Sequence, residues 1–121
     1  MHDEDFAVRT ARIGDDTYVV TVAGELDLHT VGRFEHELEQ ARTRGAGRIV
    51  VDLAGVTFMD STALGALVRA QRELRLAAGD LALVSDDPRI VRLFAITGLD
   101  RVMRLHASLL QAIDELVTAT G

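Results

Sequence analysis

Ile49, Val50 and Val51 stand side by side in the segment Arg48-Ile49-Val50-Val51-Asp52-Leu53. Successive side chains of a strand point to opposite faces, so a strand here is apolar on both. Such a strand belongs in the middle of a sheet covered on both sides, the usual setting of parallel strands joined by helices. Leu81-Ala82-Leu83-Val84 repeats the pattern. The stretch between them carries Leu64, Leu67, Val68, Gln71 and Leu74 on one helical stripe, with Arg69, Arg72, Glu73 and Arg75 outside it. Strand, helix, strand is the unit of an α/β fold.

The rest of the chain extends that unit. Phe6 to Ile13 alternates, with Phe6, Val8 and Thr10 on one side, and Gly14-Asp15-Asp16 is a turn of hairpin length. Thr17 to Ala23 is rich in β-branched residues and forms the second strand, antiparallel to the first. Gly24 to Thr30 reads as a loop, with Thr30 an N-cap for a helix that buries Val31, Phe34, Leu38 and Ala41. Ala54-Gly55-Val56 reads as a turn after the third strand, and Gly79 as the stop of the long helix. Asp86-Asp87-Pro88 opens a helix that directs Ile90, Val91, Phe94 and Ala95 to the core, and Gly98-Leu99 closes it. Residues 101–105 are a short strand, and Ser108 to Gln111 has capping-box spacing before a last helix. The expected order is β-β-α-β-α-β-α-β-α: a mixed, mostly parallel sheet with an N-terminal antiparallel hairpin and helices packed on it. A single domain over 1–121, with its core at about 6–118, is expected.

Composition excludes several chemistries. There is no cysteine, so disulfides, thiolate zinc sites and cysteine nucleophiles are absent. All 13 basic residues are arginine, which removes lysine-based Schiff-base and P-loop chemistry. The net charge of −6 offers no footprint for nucleic acid. No apolar run is long enough to cross a bilayer, and the start, Met1-His2-Asp3-Glu4-Asp5, has the wrong chemistry for a secretory signal. A cytoplasmic protein without membrane contact is expected. The histidines His2, His29, His36 and His106 have no metal-ligand spacing. His36 should be solvated, His106 should assist the last helix cap, and His29 is the one placed to meet a partner. A Ser61–His29 nucleophile pair lacks the flanking small-residue elbow that exposes a catalytic serine. No enzyme activity, cofactor or metal is expected.

One junction collects short polar residues: Asp60-Ser61-Thr62, where the third strand gives way to the long helix. A helix start has unpaired amides and positive dipole potential, which suit an oxygen side chain as a cap and equally a phosphate. Gly24-Glu25-Leu26-Asp27 follows the second strand. If strands two and three are parallel neighbours, both segments emerge on one edge and Asp27 lies near Ser61.

Gly24-Glu25-Leu26-Asp27 followed by Phe58-Met59-Asp60-Ser61-Thr62-Ala63-Leu64-Gly65 resembles the STAS-domain anti-sigma factor antagonists of bacterial partner switching. Arg92 to Leu99 also looks like that family's later helix and glycine stop. The resemblance implies a binding module, not an enzyme. By that resemblance, the unphosphorylated form should bind an anti-sigma factor that is also a serine kinase and release the sigma factor. Phosphorylation at Ser61, with Thr62 the second candidate, is then expected to end binding, and a PP2C-type phosphatase to restore it. Gly24, Glu25, Asp27, His29, Thr30, Asp60, Thr62, Ala63 and Leu64 are the implied partner-binding positions. Ala63 stands where the family usually has glycine. A monomer or weak dimer is expected. The alternative is a STAS interaction module in a larger regulatory or lipid-transport assembly; a small-ligand domain at the same edge is a third reading.

Overall fold

The computed structural model describes residues 5–119, with side chains as far as Val117. His2 and the ends of the expected domain lie outside the described residues. The elements are β1 (Ala7–Arg12), β2 (Thr17–Leu26), α1 (Val31–Thr43), β3 (Arg48–Met59), α2 (Ser61–Leu76), β4 (Asp80–Val84), α3 (Pro88–Thr97), a 3₁₀ turn (Leu99–Arg101), β5 (Leu105–His106) and α4 (Leu109–Ala119). The five strands lie in chain order, with β1 antiparallel to β2 and all later neighbours parallel.

The doubly apolar strand has the expected consequence. Ile49, Val51 and Leu53 of β3 enter a large core with Tyr18, Val20 and Val22 of β2, Leu81 and Leu83 of β4, and the inner stripes of α1, α2 and α3. Val50 points the other way, into a smaller core with Val19, Ala82, Val84, Ala112 and Leu116. Three helices therefore cover one face of the sheet and α4 covers the other. Asp87 caps α3 by accepting from the Arg89 amide at 2.9 Å, with Pro88 in the first turn. The Arg89 guanidinium also donates to the Asp87 carboxylate at 2.7 Å, which holds that carboxyl below its usual pKa. Gly98 takes the left-handed conformation at φ 77° and ends α3. Ser108 accepts from the Gln111 amide at 3.2 Å, the expected cap of α4.

Several expectations are corrected. The segment 24–26 is strand, not loop: Gly24 pairs with Val56, Glu25 with Phe58 and Leu26 with Met59. The supposed turn Ala54-Gly55-Val56 is likewise the continuation of β3. Two register shifts, after Thr21 and after Gly24, let the strands stay paired through irregular backbone. Gly24 (φ 95°) serves that irregularity, since a Cβ there would sit 2.9 Å from the Asp5 carbonyl oxygen. Val91 and Ala95 are exposed, and only Ile90 and Phe94 of the expected four in α3 are buried. The stretch expected as a strand at 101–105 is mostly turn, with β5 limited to two residues. His106 does not assist the α4 cap: its Nε2 lies 2.5 Å from Glu115 Oε2, joining β5 to α4.

Candidate functional site

The parallel pairing of Leu26 with Met59 delivers two chain segments to one edge of the sheet. Asp60 ties them together. Its Oδ1 accepts from the Ala63 amide at 3.0 Å, capping α2, and its Oδ2 accepts from the Leu28 amide at 3.0 Å. Both carboxylate oxygens are thus engaged in fixing the 27–30 loop against the start of α2. Asp27 braces that loop from within: its Oδ1 accepts from the amides of His29 at 2.9 Å and Thr30 at 3.2 Å. Asp60→Ala should cost about 1–2 kcal/mol of stability, the upper part of the roughly 0.5–2 kcal/mol seen for a lost N-cap, because the bond to the Leu28 amide goes with it. Urea unfolding should show this as a lower midpoint at constant slope.

Ser61 is the first residue of α2 and is exposed. Because Asp60 already performs the capping, the Ser61 hydroxyl is not needed for it, and it makes no hydrogen bond among the described residues. The position combines an accessible hydroxyl with the positive end of a 16-residue helix. Thr62 is half-buried, which makes Ser61 the more accessible of the two candidate acceptors.

The other expected positions divide. Glu25, Asp27 and Gly24 are half-buried at the edge, and His29 is exposed in the loop next to Leu28, whose amide Asp60 holds. Thr30 is fully buried and does not cap α1 through its side chain. Its hydroxyl turns inward, donating to the Glu25 carbonyl at 2.7 Å and accepting from the Asp27 amide at 3.0 Å. Ala63 and Leu64 are also buried, within the main core. The side chains of Thr30, Ala63 and Leu64 therefore lie beneath the surface rather than on it. At Ala63 the extra methyl faces the sheet interior. Among the described residues no hydrogen bond or ion pair links His29 to Ser61, and no three His, Asp or Glu side chains are grouped to hold a metal. No helix is long and apolar enough to cross a membrane among the described residues.

Two residues were missed from sequence. Leu28 is 66% exposed and Phe58 49% exposed, on the two segments that Asp60 joins. Leu28 stands alone as an apolar residue between Asp27 and His29, which was the available signal. Phe58 could be placed only once β3 was known to continue to Met59, because its neighbours Val56 and Met59 are buried.

The fold is of the α/β class, and its sheet edge carries an exposed serine at a capped helix start with two exposed apolar side chains, Leu28 and Phe58, on the segments that Asp60 joins. The chain matches the family model described as the STAS domain over residues 9–112, and it belongs to that family. An anti-sigma-B factor antagonist of Staphylococcus epidermidis is 41% identical over 92 residues, 76% of this chain and 85% of that relative. The anti-sigma factor antagonist SpoIIAA, solved in its unphosphorylated form, superposes with a TM-score of 0.78 at 27% identity, covering 93% of this chain and 97% of that one. The Bacillus cell fate determinant SpoIIAA in its phosphorylated form gives a TM-score of 0.70 at 28% identity, with 90% and 98% covered.

Proposed function

We propose that this protein is an anti-sigma factor antagonist whose binding is switched off by phosphorylation of Ser61. The observation that carries the reading is the division of labour at the α2 start. Asp60 caps the helix and holds the neighbouring loop, and Ser61 presents an unused hydroxyl to solvent. The relatives named as antagonists, one of them solved in both phosphorylation states, support it. In the unphosphorylated state the edge formed by residues 25–29 and 57–62 docks on an anti-sigma factor that is also a serine kinase. Ser61 Oγ then attacks the γ-phosphorus of ATP, the bond to the β-phosphate oxygen breaks, and ADP and the hydroxyl proton leave. A PP2C-type phosphatase hydrolyses the phosphoserine and returns the binding form.

Incubation with the cognate kinase and ATP, followed by intact-mass and fragment analysis, tests this reading. One added phosphate on Ser61 is expected, and none on Ser61→Ala. Phosphate found only on Thr62, or none on the native chain, would overturn the assignment.

Leu28 and Phe58 supply the apolar part of the proposed docking edge. Side chains that become fully buried at the centre of an interface, with the rim excluding water around them, carry most of its binding energy. Leu28→Ser and Phe58→Ser should each weaken kinase binding about tenfold while leaving the unfolding midpoint nearly unchanged, as calorimetric titration and thermal melts would show.

A further inference from the structure

We propose that the groove between the second half of α2 and the 3₁₀ turn docks an acidic amphipathic segment of a partner protein, at a place distinct from the Ser61 edge. Val68, Gln71, Arg72, Arg75 and Leu76 recur at three- and four-residue spacing along α2 and form one wall. Val102, at the end of the 3₁₀ turn, forms the other, and the groove between them has a volume of about 400 Å³. The groove is preformed. Gln71 is buried and its Nε2 donates to the Val102 carbonyl at 2.9 Å, while the Val102 amide donates to the Leu99 carbonyl at 3.1 Å. With both of its backbone groups held, Val102 keeps its side chain half exposed. Leu76, at 83%, is the most exposed large apolar side chain among the described residues.

Charge identifies the occupant. Arg72 and Arg75 line the groove and no carboxylate does. The Arg72 side chain makes no ion pair or hydrogen bond among the described residues. Arg75 Nε donates to Asp80 Oδ1 at 3.1 Å, yet the side chain stays more than half exposed. A polar cleft adjoins the groove, sharing Gln71, Arg75 and Val102 with it. That cleft adds Arg101, Arg104 and His106 against Asp80 and Glu115. Arg104 and His106 both meet Glu115, whereas the Arg101 side chain is unpaired among the described residues. Counting the exposed Asp100 of the turn as well still leaves positive charge in excess, on a chain whose net charge is −6. Exposed apolar side chains beside unpaired guanidinium groups match a helix with apolar residues on one face and carboxylates at its margins. Two copies meeting through this groove about a two-fold axis would set arginine against arginine. An anionic bilayer is flat where the groove is concave, and the chain's net charge opposes it. Ser61 and Leu76 are the two ends of α2, about 22 Å apart at about 1.5 Å per residue, more than twice the Debye length of about 8 Å. Docking in the groove is therefore independent of the charge state of Ser61.

Fluorescence anisotropy tests this on the full chain with a labelled synthetic amphipathic helix, leucines along one face and glutamates elsewhere. Binding with a Kd on the order of 100 µM is expected at low salt, weakening as salt is added. The same peptide with lysine in place of every glutamate should bind at least tenfold more weakly. Leu76→Glu and Arg72→Glu should each weaken binding of the acidic peptide at least tenfold, because each puts a carboxylate in the groove. Ser61→Asp should leave that binding within about twofold of native. Circular dichroism checks folding, and if Leu76→Glu fails to fold, Val102→Glu should give the same loss. No binding of the acidic peptide, equal binding of the lysine peptide, or groove variants that bind as the native does would each overturn the proposal. Loss of binding in Ser61→Asp would overturn it by placing the contact at the Ser61 edge. Tighter binding to phosphatidylserine vesicles than to the peptide would overturn it in favour of a lipid surface. A dimer in sedimentation equilibrium that Leu76→Glu abolishes would overturn it in favour of a second copy.

Discussion

Ser61→Asp should lower affinity for the cognate anti-sigma factor kinase at least tenfold, and full phosphorylation about a hundredfold, with Ser61→Ala staying within about threefold of native. A phosphate adds about −1.5 to −2 charges, an aspartate only −1, so the two should fall in that order. Each tenfold loss corresponds to about 1.4 kcal/mol. The penalty acts at the interface rather than on the fold. Negative charge at the first turn of a helix is favourable or neutral for the helix, so the unfolding midpoint should barely move. Asp27, Asp60 and Glu25 already make this edge acidic, and a further anion adds like charge where the partner must approach. Exposed charges are screened by salt, so the difference between Ser61→Ala and Ser61→Asp should shrink as ionic strength rises. Calorimetric titration at two salt concentrations separates this account from a steric one, in which the gap is independent of salt. Equal affinity of Ser61→Asp and native protein would sink the switch.

How much of this was legible depended on whether the determining contact was local. The Asp87-Pro88 start, the Gly98 stop and the Ser108 cap are set by a few adjacent residues, and each appeared where the sequence placed it. The doubly apolar Ile49-Val50-Val51 correctly demanded a sheet with two covered faces. What failed was non-local. Gly24 and Gly55 look like turn residues along the chain, but β2 and β3 hold each other extended past both of them through two register shifts. Val91 and Ala95 fit a helical stripe, yet α3 buries only Ile90 and Phe94, so the stripe alone overstated the buried face. The site itself was half legible. Asp60 as cap and Ser61 as accessible hydroxyl follow from the junction's residue types. The second bond of Asp60, to the Leu28 amide 32 residues away, could not be read from spacing. Nor could the inward turn of Thr30, whose hydroxyl finds the Glu25 carbonyl only because β2 runs on to Leu26.

The end of α2 gives the largest expected effect on stability, and it inverts the usual reading of a helix-stop glycine. In Ala77-Ala78-Gly79 the left-handed residue is Ala78, at φ 63°, not the glycine. Gly79 has a different task. Its amide donates to the Leu74 carbonyl at 2.7 Å, and the chain then passes so close to β3 that a Cβ at 79 would stand 1.9 Å from the Gly47 carbonyl oxygen. That oxygen cannot simply move, because it accepts from the Asp80 amide at 3.1 Å while the Gly47 amide donates to the Asp16 carbonyl at 2.9 Å. Gly79→Ala must therefore displace backbone shared by β2, β3 and β4, and should cost about 3 kcal/mol or more, in the range of severe core disruption. Ala78→Gly should act in the opposite direction. It relieves a side chain held at positive φ, a conformation costing about 1–2 kcal/mol, and the added freedom of the unfolded chain offsets part of that, leaving a gain of up to about 1 kcal/mol. Urea unfolding of the two single variants distinguishes the roles. If Gly79 were an ordinary left-handed stop, Gly79→Ala would cost only about 1 kcal/mol and Ala78→Gly would destabilise the helix end.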